Sequence, residues 1–497
     1  MNVLPSKEIL RDKIHGCWIG KNIGGTLGGP LECDTSMHDI SWFVKDPGGN
    51  PLPNDDLDLQ LAWLLMAEFY GFEKITFRHF GEMWNHAIIG PWGEYANCRL
   101  NCQQGFFPPL SGSCDNYGLE RSNGAWIRAE IWACLCAGKP DDAIRYAYMD
   151  SSCDHVSDGV YAEMFIAAME AAAFCESDIR KIIEIGLCKI PDKCRLRESI
   201  DLAIKYYDTG KTWQEARTAV VELNADMGWF HAPANVAFAV IGLLYGEGDF
   251  GKSICTAVNC GDDTDCTAAT VGALLGIIQG EKAIPEKWKA AIGDAIVQHS
   301  LNGFSVQARI PRTITELTDR VIRLREIGEL NNPDFVVADE DFCSREAAEA
   351  IWKKSPYYQD YDLIFGKITV EYLDKPYLTP GVPNRLRIRI NGSIAGITLF
   401  RFAWQLPEGY TSDTEKFVVG VRNYCQTEFD TSITPPENIS DNMVFINLAV
   451  SSTEHGSPEM VTVPFRKAGS THVPFFVMNR NTDSCRQMFA IDKRCSR

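Results

Sequence analysis

The chain has 497 residues, 45% of them hydrophobic, and a formal net charge of −18. That length and apolar share support two or more domains with sizeable cores, and the charge excludes a general nucleic-acid binder, whose affinity rests on Lys and Arg against phosphate. No uninterrupted apolar run of about 18 residues occurs and the N-terminal stretch holds no signal-type apolar core, so no membrane contact is expected and the reading is cytoplasmic.

From Lys7 to about Leu324 apolar residues recur at spacings of three and four, punctuated by breakers such as Gly138-Lys139-Pro140 and Ile190-Pro191-Asp192. This pattern predicts an all-α domain over residues 1–324. Its first helical run, Ile14 to Ile19, is followed by a glycine-rich segment, Gly20 to Glu32. Glycine at that density implies either close backbone packing or a loop approaching a ligand. No Gly-Lys-Ser/Thr ending is present, which excludes a P-loop. Glu32, at the end of the segment, is a costly charge unless it is used.

Two acidic clusters come next in importance, Pro53-Asn54-Asp55-Asp56-Leu57-Asp58 and Gly261-Asp262-Asp263-Thr264-Asp265-Cys266. Each opens a predicted helix. Leu57, Leu61, Leu64 and Leu65 form an apolar stripe after the first, and a run of small and apolar residues from Thr267 to Gly280 follows the second. Taken singly, Asp55 or Asp263 reads as a helix cap. Taken together, several carboxylates at the mouths of buried helices suffer desolvation and mutual repulsion that a hard divalent cation relieves, and the metal site is the stronger reading.

Cysteine is frequent, with 18 residues, but scattered through apolar helical segments and without a Cys-x-x-Cys pair. Most read as small buried hydrophobes. Cys98, Cys102 and Cys114, near His86 in sequence, also admit a zinc or disulfide reading. A charged stretch over 325–356, broken at Asn331-Asn332-Pro333 and carrying a helix near Ser344–Lys353, reads as a helical linker. Beyond Pro356 alternation takes over, in Lys367–Tyr372, Arg385–Ile390 and Met443–Leu448, and predicts a β-sandwich over 357–497. Its role reads equally as structural, oligomerising or carbohydrate-binding.

The ordered set of motifs resembles the ADP-ribosylglycohydrolase family, of the dinitrogenase reductase-activating type. It comprises a glycine-rich segment ending in Pro30-Leu31-Glu32, Asp55-Asp56, Asn123-Gly124-Ala125-Trp126-Ile127-Arg128, Asp154-His155 and Gly261 to Cys266. The resemblance covers about residues 8–285 and implies a helical fold holding two Mg²⁺ ions, with Mn²⁺ as the alternative, that cleaves a bond at the anomeric carbon of a ribose. Carried over, Asp55, Asp56, Asp263 and Asp265 are metal ligands. Asn54 and Cys266 stand where many members have hydroxyl residues that touch metal. Glu32 matches a glutamate near the scissile bond, a general base or gate, and Asp56 shares the catalytic assignment. Gly124, Ala125 and His155 fall on substrate-binding positions. Gly25 departs from the pattern, since many relatives carry Asp there.

The substrate expected is a small molecule or an ADP-ribosylated protein, and homo-oligomerisation stays open. Two rival functions remain: a glycosidase for a non-nucleotide furanoside, or a catalytically silent protein that binds ADP-ribose or a sugar. Trp84, Trp92, Trp126 and Trp229 are stacking candidates that read more readily as core, and Arg99, Arg121 and Arg128 are candidate diphosphate contacts, with Arg128 equally suited to pairing an inner acid.

Overall fold

A computed structural model describes residues 3–90, 92–116, 118–302, 306, 308–364, 366–392, 397–422, 425–453 and 456–470. Two compact units divide them: one joins Met1–Ala96 to Asn116–Lys354, the other joins Asn97–Asp115 to the segment that begins at Ser355. The stretch 471–497 of the expected β-domain lies outside the described residues.

The first unit is helical. Among the described residues its only strand-type pairings are isolated bridges at Ile88–Leu301, Ser122–His231 and Ala295–Thr313. None of the described helices is long and apolar enough to cross a membrane. Two features of sequence position the functional residues. The first is α1 (Lys7–Gly28), which starts on a Ser6 cap and runs unbroken through the glycine-rich segment. The loop alternative for Gly20 to Gly28 is thereby replaced by helix.

The second feature is what those glycines meet. A Cβ on Gly16, Gly20, Gly24 or Gly28 would fall 2.3, 2.1, 2.1 or 2.2 Å from the carbonyl oxygen of Gly276, Gly272, Ala268 or Thr264 respectively. Rising numbers on α1 pair with falling numbers on the helix Thr264–Gln279, so the two run antiparallel with their backbones in contact. Glycine every fourth residue clears one helix face of side chains, and only that face permits such an approach. The C-terminal end of α1 consequently abuts the N-terminal end of its partner.

The expected linker is part of this unit. Ala338 and Phe342 enter one buried cluster with Ala172 and Ile185, and Ala348 and Ile351 enter another with Ile144 and Met164.

The second unit carries strands β1 (Tyr358–Leu363), β2 (Gly366–Tyr372), β3 (Tyr377–Leu378), β4 (Asn384–Gly392), β5 (Ile397–Gln405), β6 (Thr411–Ser412), β7 (Lys416–Arg422), β8 (Gln426–Thr434), β9 (Met443–Ser452) and β10 (Glu459–Lys467). They form two five-stranded sheets, ordered β1-β2-β4-β8-β6 and β3-β10-β9-β5-β7. Alternate residues Ile368, Val370, Ile388 and Ile390 of the first sheet share a buried core with Phe400, Phe402, Ile446 and Leu448 of the second.

That core also takes Phe106, Leu110 and Cys114 from the helical part of the sequence. Arg466, fully buried, fixes the excursion: it donates to Asn101 Oδ1 and Gln104 Oε1, each at 2.6 Å, pairs with the Asp115 carboxylate, and sits 4.8 Å from the Phe106 ring. A boundary drawn at 357 by pattern alone leaves this segment out. The segment is loop-like in sequence, with Gly105 and Pro108-Pro109 between two short helical stretches, and nothing local ties it to the strands that begin at Tyr358.

Replacing Gly20 by Ala should lower stability by about 1–3 kcal/mol, because overpacking against a backbone carbonyl is relieved only by parting the helices. Denaturant unfolding of the Gly20→Ala protein checks this; an unchanged midpoint would contradict the backbone contact.

Candidate active site

The two acidic clusters, distant in sequence, meet at the abutting helix ends. α2 (Asp55–Tyr70) opens on Asn54, whose side-chain oxygen accepts the Asp56 N–H at 2.7 Å. With its oxygen so engaged, the Asn54 amide nitrogen points to Asp265 Oδ2, 3.4 Å away. The helix Thr264–Gln279 has Asp263 at its N-cap position, yet the Asp263 side chain makes no capping bond. Neither Asp55 nor Asp263 is therefore the cap that each cluster alone suggested.

The loop before Thr264 needs glycine. Gly261 has φ of +79°, and a Cβ there would lie 2.2 Å from Ser36 O. Asp262 follows in the left-handed region, donating its N–H to Asp34 O at 2.9 Å and accepting the Cys33 N–H at 3.0 Å. These two bonds tie the residues after Glu32 to the second cluster. Glu32 is partly exposed as a residue, while a carboxylate oxygen of it approaches Asp263 and Asp265.

Oxygens of Glu32, Asp263 and Asp265 lie within 4.8 Å of one another, and so do ligand atoms of Asp56, Asp265 and Cys266. Asp265 belongs to both sets. Asp56 Oδ2, Asp263 Oδ1 and Asp265 Oδ1 are buried without a hydrogen-bond partner. Burial, then Asp265 and Glu32, push the Asp263 carboxyl well above the usual range. Burial raises Asp265, and burial with Asp265 raises Asp55 to about 6. For Asp56 the burial effect is opposed by Lys21 and reinforced by Asp265 and Asp55, with a strong net rise. Glu32 is pushed up by burial and by Asp265, Asp55 and Asp56. Orphaned carboxylate oxygens crowded at this spacing fit a hard cation, which would satisfy their lone pairs and offset their repulsion.

Not every member of the motifs joins them. Asp58 turns away, and its Oδ2 accepts the N–H groups of His299 and Ser300, each at 2.7 Å. The half-buried Asp55 accepts a 3.4 Å bond from the Tyr95 hydroxyl. The Cys266 thiol donates to Asp56 Oδ1 at 3.5 Å. A Cβ on Gly25 would meet the Asn54 amide at 2.3 Å, so Asn54 fills the space of a residue-25 side chain.

Beneath the acids lies a network that pattern reading missed. Lys21, fully buried, donates to Glu130 Oε1 and Ile127 O, each at 2.7 Å, and stands 3.9 Å from Asp56 Oδ2. Burial opposes its charge, but Glu130 and Asp56 more than offset this and hold the ammonium above its ordinary range. Gln60 links Asp56 O to Glu130 Oε2, with both bonds at 2.8 Å. Asn123 donates to Asp263 Oδ2 at 2.7 Å, and Asn235 accepts the Asp263 N–H at 3.2 Å. Lys21 stood inside the glycine-rich segment and Asn123 inside a quoted motif; a cation in an otherwise apolar helix stripe was the available signal.

Gly124 and Ala125 are buried beside the site, and the Gly124 carbonyl accepts from Tyr95 and Arg128. His155, expected to face substrate, is fully buried. Its Nδ1 meets Asp154 Oδ1 and its Nε2 meets Ser122 Oγ, both at 2.8 Å, so the ring offers no nitrogen to the cleft. Arg128 bridges Asp150 at 2.7 Å and Asp154 at 2.6 Å, the inner pairing open to it from sequence. Trp84, Trp126 and Trp229 are core residues, while Trp92 is half-buried and 5.8 Å from the His299 ring. Cys98, Cys102 and Cys114 are buried and in no disulfide, outside any metal-type grouping among the described residues.

The helical unit thus gathers carboxylates from separate helix ends into one group that could hold a metal ion. The chain belongs to the ADP-ribosylglycohydrolase family, whose model matches residues 6–328, and glycosidic bond hydrolysis is that family's reaction. No curated protein matches the chain.

Glu94, beside the acidic centre and raised in part by Asp154 and Asp55, supplies a pH test. It is buried, its Oε2 has no hydrogen-bond partner, and burial raises its carboxyl to about 8. A folded pKa above the unfolded value of about 4.3 means that stability falls as pH rises between the two. Glu94→Gln removes that loss at nearly constant volume. The stability of the variant relative to wild type should rise by a few kcal/mol from pH 5 to pH 8 in denaturant titrations; a pH-independent difference would contradict the assignment.

Proposed function

We propose that the protein is a magnesium-dependent hydrolase that cleaves the glycosidic bond at the anomeric carbon of a ribose, of an ADP-ribosyl group in the first instance. The observation that carries this reading is the sharing of Asp265 between two sets of ligand atoms, each within 4.8 Å. Two adjacent cations with one carboxylate in common would fit such a layout. Asp56, Asp263 and Asp265 would hold them with Asp55 alongside; Glu32, the outermost member of its set, would face the water and not the ion, Cys266 would stand at the margin and Asn54 orients Asp265. Magnesium in this role lowers the pKa of bound water and grips vicinal hydroxyls.

The residues of the chain do the rest. Glu32, at the open mouth, accepts the proton of the attacking water as general base. The acids of the cleft face the positive charge that develops on the ribose ring in an oxocarbenium-like transition state and stabilise it. Asn123 fixes one oxygen of Asp263, and Lys21 balances Asp56 from below while Glu130 holds it in place. Gly124 and Ala125, lacking bulk, would let the sugar lie against the wall they form. The two sheets of the second unit, with one core between them, are read as a β-sandwich that serves structure or recognition.

A furanosidase acting on a non-nucleotide substrate is the second reading, favoured by the Asn54 amide where a residue-25 side chain would otherwise stand. One assay separates them: release of ADP-ribose from modified protein, against release of a chromophore from an aryl furanoside, each with and without chelator. Chelator should abolish turnover, and Glu32→Gln should lower kcat by about 100-fold or more, in the range of general-base loss, with magnesium affinity retained. Turnover that survives chelation, or a near-native Glu32→Gln enzyme, would overturn the proposal; binding without turnover would reassign the protein as a silent binder.

A further inference from the structure

We propose that the helical unit carries a second binding pocket, remote from the acidic cleft, for a small aromatic anion whose ring stacks on Phe69 while Arg309 and Arg323 hold its carboxylate or phosphate. The pocket has a volume of about 560 Å³ and lies between the C-terminal part of α2 and the helix Ile314–Asn331. Its apolar surface comes from Leu65, Phe69, Leu324 and Ile327. That volume falls within the roughly 300–1,000 Å³ of small-molecule sites.

Charge selects the occupant. Two carboxylates line the pocket, Glu68 and Glu316, and both are engaged by Arg320. Its Nε and Nη2 donate to Glu68 at 2.9 and 2.6 Å, and its Nη1 reaches Glu316 at 3.5 Å. A further Arg320 bond, 2.5 Å to Arg309 O, fixes the backbone beside the pocket. Arg309 and Arg323, also in the lining, have no carboxylate within 4.0 Å among the described residues. Two guanidiniums without a carboxylate partner among the described residues, on one pocket in a chain of net charge −18, mark an anion position.

The aromatic requirement comes from Phe69. Its side chain is 60% exposed, and the Arg309 guanidinium carbon lies 4.8 Å from the ring centroid. A planar ligand bearing an acid group uses both at once, with its ring on the Phe69 face and its anion on the guanidinium. A cation is repelled by the arginines, and a wholly apolar segment leaves them unused. Phe69 lies about 20 Å along α2 from Asp56, at roughly 1.5 Å per residue, so this pocket stands apart from the cation centre and its ligand does not depend on the reaction proposed there.

The test uses 1-naphthyl phosphate as probe, with 1-naphthol and inorganic phosphate as controls, titrated into the full-length protein in excess chelator so that the acidic cleft contributes nothing. Saturable binding is expected, weakened at least tenfold in an Arg309→Ala/Arg323→Ala double variant and in Phe69→Ala, with melting temperatures unchanged because all three side chains are exposed. Both controls should bind at least tenfold more weakly than the probe. Undiminished binding in the double variant, inorganic phosphate binding as tightly as the probe, or displacement by an acidic peptide at lower concentration than the unlabelled aryl phosphate would each overturn the proposal.

Discussion

The backbone-to-backbone contact between α1 and the helix Thr264–Gln279 is the constraint on which the rest of the site depends. Gly28 meets Thr264 at one end of the contact and Gly16 meets Gly276 at the other, so the register of the two helices is set by four glycines and not by interdigitating side chains. Just past that contact the chain leads through Gly29–Leu31 to Glu32, and just past Thr264 stand Asp265 and Cys266. Packing and chemistry therefore share a single cause. A side chain on the glycine face would separate the helices and, with them, the carboxylates they present.

Carboxylates so gathered are not stable by themselves. Desolvation raises Glu32, Asp55, Asp56, Asp263 and Asp265 together, mutual repulsion adds to it in all of them but Asp265, and the buried ammonium of Lys21 is committed first to Glu130. Two helix N-termini, those of α2 and of Thr264–Gln279, point their positive ends at the cluster and relieve part of the charge. The neighbouring Arg128 group shows the contrast. There the guanidinium sits between Asp150 and Asp154, His155 and Ser122 complete the chain, and the pairing is internal. Asp150 and Asp154 have their oxygens taken by Arg128, Trp132 and His155, whereas Asp56, Asp263 and Asp265 keep unpaired oxygens that a bound cation would satisfy.

Much of this was legible in the residue string because the clues were local. The Asp55-Asp56 and Asp263-Asp265 clusters precede apolar helices, glycine recurs every fourth residue from Gly16, and alternation begins after Pro356. What escaped was long-range. Whether Asn54 ligates or caps depends on the Asp56 N–H and on Asp265, 211 residues away. His155 was expected at a substrate face because its motif lies among functional ones, yet its partners Ser122 and Asp154 enclose it. Lys21, Gln60 and Glu130 act only as a trio contributed by three separate helices. Residues 97–115 read as a loop-like stretch within the helical part of the sequence, and only the tertiary pairing of Asp115 and Asn101 with Arg466 assigns them to the strand-rich unit.

The most direct measurement of the central claim is electron paramagnetic resonance of the protein titrated with Mn²⁺ in place of magnesium, on wild type and Asp265→Asn. Two ions per chain with exchange-coupled spectra are expected for wild type, and loss of the coupling for the variant, because Asp265 is common to the two sets of candidate ligand atoms. A single uncoupled ion, or coupling that persists without Asp265, would contradict the account.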